Sequence, residues 1–178
     1  INSSRDGSFI AVGRLEKIKR FDLLIHAWKG INEKLEIIGD GLEKNTLLTI
    51  IENNDLAKRI TIRSEVNSQE LANIYKRAKG LIITSSREGG PRVALEAAAF
   101  NLPVFGTNVG IMSELFPQEV LADPSNEDEV ISLIRSFVPL AKNLDVSAIK
   151  ERIFESYTVE SSAKKVSKIY DSVLSNSL

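Results

Sequence analysis

The chain contains no cysteine. That excludes a disulfide framework and a thiolate-held metal, and it fits a reducing compartment. There is one histidine, His26, so a Ser-His-Asp arrangement would have a single candidate base. His26 lies between apolar positions of a helical pattern and reads as a helix-face residue. No His/Asp/Glu/Cys cluster has metal-ligand spacing, no D-x-D motif is present, and no metal site is expected. No apolar run approaches the ~20 residues needed to span a bilayer, and no signal peptide is visible. Charge of one sign is missing too. The 23 Lys and Arg against 24 Asp and Glu leave a net charge of −1, which gives no pull toward nucleic acid or an anionic membrane.

What is present is a chain of 178 residues, 43% of them hydrophobic, enough for one domain with a substantial core. There is no internal repeat or low-complexity segment. The chain starts at Ile1 rather than Met, so a longer parent protein is expected. Residues 1–7 are polar and read as a linker end. Short apolar strands are predicted at 8–13, 35–38, 60–62, 80–84, 102–106 and 120–122. Helical patterns lie between and after them at 20–29, 42–53, 68–78, 91–100, 127–140, 146–155 and 161–174. Ser68 is the expected cap of the third helix, and Ser125 or Asn126 that of the helix from 127. Strand alternating with helix predicts an open parallel α/β sheet of about six strands with helices on both faces.

The densest chemistry lies in S-S-R-E-G-G-P-R-V-A-L-E-A-A-A-F, residues 85–100. It follows the buried strand at 80–84, turns at Gly89-Gly90-Pro91 and opens a helix, with Pro91 suited to the first helical position. Glycines next to a helix start let backbone amides approach an anion. Glu88 falls at the strand-to-helix corner, where ligands of open sheets bind. Glu96 is embedded in an apolar helix, where a largely buried carboxylate is costly without a partner. From residue types alone, two ordinary helix carboxylates are as good an account as two functional ones.

The string resembles the E-x7-E motif of the retaining GT-B glycosyltransferases of family 4, the group 1 glycosyl transferases. Leu102-Pro103-Val104 and Thr107-Asn108-Val109-Gly110 follow in that family's order. Gly13-Arg14-Leu15 with Lys19 is similar to its G-R-L-x-x-x-K-G element, and Gly39-Asp40-Gly41 to its G-D-G turn. The resemblance spans nearly the whole chain and implies the C-terminal, Rossmann-like, donor-binding half of a GT-B fold. It divides the chain into a linker end (1–7), a nucleotide-sugar domain (8–156) and a closing helix (157–178) that crosses onto the N-terminal domain in whole enzymes.

The resemblance also implies roles. Arg14 and Lys19 would stabilise the leaving diphosphate, Glu88 would orient the donor sugar, and Glu96 would bond the ribose. Gly13, Gly39, Gly89 and Gly90, with the backbone of Arg92 and Val93, would admit and hold the phosphates, and Val66 would lie by the base. No cofactor or metal ion is implied, only a UDP- or GDP-linked sugar donor. The acceptor would be a carbohydrate or lipid-linked glycan, the acceptor domain would precede Ile1, and the chain alone would be inactive. Surface polysaccharide or glycoconjugate synthesis is the implied setting. The implied location is the cytoplasm, or the inner face of the membrane through the missing domain.

The sequence departs from the family at four places. Arg20 stands where a glycine is usual, Arg63-Ser64-Glu65-Val66 replaces x-G-x-V and leaves Arg63 or Glu65 to line the base pocket, Ile111 replaces the second glycine of V-G-G, and Val159 replaces an aromatic. Glu114 is expected to make a local structural contact. Two other readings stay open, a non-catalytic nucleotide-binding subunit of a split transferase and a flavodoxin-like interaction module.

Overall fold

The computed structural model describes residues 5–144 and 146–158, with 160, 161, 163 and 167. Its strands are β1 (Phe9–Val12), β2 (Leu35–Ile38), β3 (Ile60–Arg63), β4 (Gly80–Ile83), β5 (Val104–Thr107) and β6 (Leu121–Ala122). Its α-helices are α1 (Phe21–Ala27), α2 (Lys44–Asn53), α3 (Ser68–Arg77), α4 (Arg92–Ala99), α5 (Met112–Leu115), α6 (Glu127–Phe137) and α7 (Ser147–Ser156). The strands form one sheet in the order β3-β2-β1-β4-β5-β6, with every pair parallel. Burial on both faces explains why β4 and β5 are apolar without alternation. The helix expected over 161–174 falls, except at a few positions, outside the described residues.

Strand order reverses between β1 and β4. The chain moves outward through β2 and β3, then crosses back to build β4, β5 and β6 on the other side. Right-handed crossovers therefore put α1 and α2 on one face and α3, α4 and α5 on the other. The carboxyl ends of β1 and β4 lie side by side, with Phe9 in register with Gly80. Their loops part in opposite directions, which leaves a crevice at the switch point. Beneath it Phe9 packs edge-on against Trp28 at 5.7 Å and Phe105 at 6.3 Å. Trp28 is fully buried and donates its indole N–H to the Glu33 carbonyl at 2.8 Å, so its polar atom is satisfied.

Several helix ends differ from the sequence expectation. Asn67, not Ser68, caps α3, accepting from the Glu70 amide at 2.9 Å. Of the two caps expected for α6, Asn126 is the one used, while Ser125 turns back to Asp123. Pro91 sits at the cap of α4 in an extended conformation, so the helix begins at Arg92. The short α5 had no counterpart in the sequence reading, because four residues are too few to show a period. The helix expected from 42 starts at Lys44, leaving Leu42 exposed in the turn.

Arg20 adopts the left-handed conformation, φ 51°, at the start of α1. This is the position where the resembling family has glycine, and a non-glycine residue there costs ~1–2 kcal/mol. The side chain supplies the offset. Its Nε donates to the Thr84 carbonyl at 3.1 Å and its Nη1 to the Pro124 carbonyl at 2.6 Å. Thr84 Oγ1 donates in turn to the Lys19 carbonyl at 2.8 Å. The β1 and β4 loops are thereby tied together although the glycine is absent.

Arg5 performs a similar service for α3 and α4. Its guanidinium donates to the carbonyls of Tyr75 (2.8 Å) and Ala78 (3.0 Å) at the end of α3, and to Phe100 (2.8 Å) at the end of α4. Burial lowers its pKa, as befits a cation partly stripped of water. It satisfies carbonyls that have no partner within either helix and complements both dipoles. Arg5→Ala is expected to cost about 2 kcal/mol in chemical denaturation. Arg5→Lys should recover only part, since an ammonium lacks the planar fork that reaches both helices.

Candidate functional site

A cleft of about 500 Å³ opens at the switch point. Its wall draws on the ends of β1 and β2 with the loops that follow them, the loop after β4, the 65–66 loop, α3 and the first turns of α4. Gly13, Arg14, Lys19, Gly39, Val66, Glu88, Gly90, Arg92, Val93 and Glu96 all line it, and Gly89 does not. Arg14 and Lys19 therefore share one hollow with Glu88 and Glu96. Val12, Ile38, Asp40, Glu65 and Leu71 complete the wall.

The 17–19 turn carries Lys19 into the cleft, where its Nζ lies 2.9 Å from Glu88 Oε1. Both side chains are mostly buried, so this pair is screened far less than a surface one. Ser85 Oγ also donates to Glu88 Oε1, and the buried Thr107 Oγ1 donates to the Ser85 carbonyl at 2.8 Å. One carboxylate oxygen of Glu88 thus receives two donors. Arg14, by contrast, is 77% exposed and pairs only with Glu16 at 2.6 Å. Such a pair is worth little, so Arg14 can turn toward an incoming anion at small cost.

Glu96 departs from the expectation of burial, because its side chain is 40% exposed to the cleft. Its partner is Tyr75, a buried residue of α3 whose hydroxyl donates to Glu96 Oε2 at 3.0 Å. Nothing in the sequence spacing connects residues on two helices that only the crossover brings together. Arg92 and Val93, which line the cleft, stand at the start of α4, where their amides have no intrahelical acceptor by position. They supply the donors and partial positive charge that suit an anion.

On the other flank, the β2 loop fits against the β1 loop. Gly39 has φ 153°, and a Cβ there would sit 2.0 Å from the Gly13 carbonyl oxygen. Asp40 then accepts from Lys44 Nζ at 2.7 Å and from the Glu65 amide at 3.1 Å. The bond from Lys44, followed by that from the Glu65 amide, lowers its pKa. Asp40 thereby holds the 64–66 loop over the cleft, more than the plain turn residue that G-D-G suggests. Of the two side chains expected near Val66, Glu65 lines the cleft. Arg63 faces away from it, paired with Glu36 and Glu70. Ile111 does not enter the wall either, lying 3.9 Å from where a Cβ on Gly90 would be. Glu114 makes the expected local contact, accepting from Tyr157 Oη at 3.1 Å. Among the described residues no group of three or more His, Cys, Asp or Glu is placed to hold a metal ion.

Comparison with known proteins agrees with the geometry. The family model described as "Glycosyl transferases group 1" matches residues 2–151. The chain is 33% identical over 117 residues to the amylovoran biosynthesis glycosyltransferase AmsD of Erwinia amylovora, covering 64% of this chain and 32% of that protein. Among solved structures it is similar to the C-terminal domain of a group 1 family protein, LpcC, from Francisella tularensis. The TM-score is 0.73 at 19% identity, covering 85% of this chain and 87% of that one. It is also similar to the pneumococcal O-GlcNAc transferase GtfA, solved with UDP and GlcNAc, with a TM-score of 0.76 at 24% identity over 96% of this chain and 36% of that one. The chain spans about a third to a half of the length of the curated relatives it matches.

The Glu88 loop depends on a neighbour outside the cleft. Gly110 has φ 56°, and a Cβ there would lie 2.5 Å from the Gly89 carbonyl oxygen and 2.9 Å from that of Glu88. Gly110→Ala is expected to cost ~2–4 kcal/mol, since strain and overlap add. Thermal unfolding measures that loss. Gly30→Ala, strained in φ but in open space, should cost clearly less.

Proposed function

The chain belongs to the group 1 glycosyl transferases, and from that membership we propose that its cleft binds the nucleoside-diphosphate sugar donor of a retaining transferase. One observation carries the reading. The cleft is lined by three cations, Arg14, Lys19 and Arg92, and four carboxylates, Asp40, Glu65, Glu88 and Glu96. A pure phosphate site would not gather carboxylates, and a neutral sugar site would not gather cations. A ligand bearing both a diphosphate and several hydroxyls satisfies both sets. The UDP and GlcNAc in the pneumococcal relative are a ligand pair of that type.

Within this reading the distal phosphate lies at the amides of Gly90, Arg92 and Val93. Gly13, Gly39 and the neighbouring Gly89 leave room for close approach, and Val66 packs by the base. As the bond between the anomeric carbon and the phosphate oxygen breaks, charge grows on the departing diphosphate. Arg14 and Lys19 stabilise it. The acceptor oxygen forms its bond to the anomeric carbon on the same face, and its proton passes to the leaving phosphate oxygen. Glu88 orients the sugar through its hydroxyls, and Glu96 anchors the ribose. No metal ion takes part in this scheme.

Lys19 is paired with Glu88 at 2.9 Å, so a diphosphate competes with a carboxylate for it. Arg14 therefore supplies the first contact and Lys19 the later one. The acceptor, a carbohydrate or lipid-linked glycan of surface polysaccharide or glycoconjugate synthesis, would be held by a further domain, in keeping with the chain's spanning about a third to a half of the length of its curated relatives. The setting is cytoplasmic or peripheral at the inner membrane face, and no helix among the described residues is long and apolar enough to cross a membrane.

Calorimetric titration of the chain with UDP and GDP tests the reading. Binding of at least one is expected. Lys19→Ala should weaken it roughly 10- to 30-fold while leaving the affinity for the bare nucleoside unchanged. The chain alone should transfer no sugar from a panel of nucleotide-sugars. Silence with every nucleotide would sink the proposal, and turnover by the isolated chain would remove its second half.

A further inference from the structure

The cleft reading does not account for the hydroxyl of Tyr75. Its ring is 2% exposed, packed against Phe100 with centroids 5.8 Å apart. The backbone carbonyl of the same residue accepts from Arg5. Phenylalanine would fill this space equally well, and a buried hydroxyl is costly unless it is bonded. The hydroxyl's partner is not another core group but Glu96 Oε2, on the wall of the cleft, at 3.0 Å.

We infer that Tyr75 is a positioning residue for the ribose subsite, holding the Glu96 carboxylate in the one orientation that can accept from a vicinal diol. This rests on the reading of the cleft as a nucleotide site. The other restraint on Glu96 is weak, since Arg92 Nη2 lies 3.9 Å from Oε1, beyond hydrogen-bond range, on a side chain 89% exposed. Without the tyrosine, the Glu96 side chain would sample several rotamers and would have to be ordered by the ligand. With it, Oε2 is fixed by a donor behind the wall, and Oε1 and the outward lone pairs are left for the ligand. Burial first, and then the neighbouring carboxylate, push the Tyr75 pKa far upward, so the phenol remains a donor at any working pH.

The test is calorimetry on the chain with UDP and GDP and with their 2′,3′-dideoxy counterparts. The variants are Tyr75→Phe, Glu96→Ala and the double variant, and thermal midpoints from the same samples report folding. Tyr75→Phe should weaken ribonucleotide binding roughly five- to tenfold, the size set by freeing one glutamate side chain. It should leave the dideoxy affinity unchanged, and it should add nothing in the Glu96→Ala background. Equal losses for both ligand types, an additive double variant, or no loss at all would each overturn the inference while leaving the nucleotide site standing. If Glu96→Ala does not affect ribonucleotide binding, or if the unaltered chain binds no nucleotide, the reading of the cleft fails and the inference falls with it.

Discussion

A single oxygen atom, Glu88 Oε1, receives the Lys19 ammonium at 2.9 Å and the Ser85 hydroxyl. Lys19 belongs to the segment after β1, and Ser85 and Glu88 to the segment after β4. Those loops leave neighbouring strands in opposite directions, and a parallel sheet supplies nothing at its carboxyl edge to hold them. The ion pair is one of the few connections across the gap, and it lies within the cleft itself. Beside it, the Thr84 hydroxyl donates to the Lys19 carbonyl and the Ser86 amide to the Ile18 carbonyl, reinforced by the Arg20 side chain. These contacts fix the two loops against each other, and the Lys19–Glu88 pair lies where they line the cleft.

The two carboxylates are prepared in the same way. Each has one oxygen engaged by a hydroxyl, Ser85 for Glu88 and Tyr75 for Glu96, and both residues line the cleft. Preorganisation of this kind matters because ordering a long side chain on binding costs about as much as one good hydrogen bond returns. The hydroxyls are supported in turn. Thr107 on β5 holds Ser85, and Arg5 clasps the ends of the helices that carry Tyr75 and Glu96.

Much of this was legible in one dimension. The buried strands announce themselves as short apolar runs, and the resemblance over 85–100, at Gly13-Arg14 and Lys19, in the G-D-G turn and at Val66 singled out ten of the residues that line the cleft. The failures are local and physical. Caps move by one residue, at Asn67 and Pro91, because several polar or turn residues in a row satisfy the same rule and only the backbone path selects among them. Glu96 looked buried because its neighbours in sequence are apolar, yet a helix places every residue on its own azimuth, and this one faces the cleft. Arg63 and Glu65 are two residues apart at the end of a strand and were indistinguishable by type. Pairing of Arg63 with Glu36 and Glu70 draws it from the cleft, and the bond from the Glu65 amide to Asp40 keeps the following loop in place.

The sequence by itself determined the class of fold and the pair of loops that flank the cleft, because apolar period, glycine turns and motif spacing are properties of neighbours along the chain. Only the tertiary structure decided which donors serve which carboxylate. The Lys19–Glu88 contact joins residues 69 positions apart and the Tyr75–Glu96 contact residues 21 apart, on segments that the reversal of strand order brings together. Hydrogen bonds act over about 3 Å, and separation along the sequence says nothing about separation in space until the crossovers are in place.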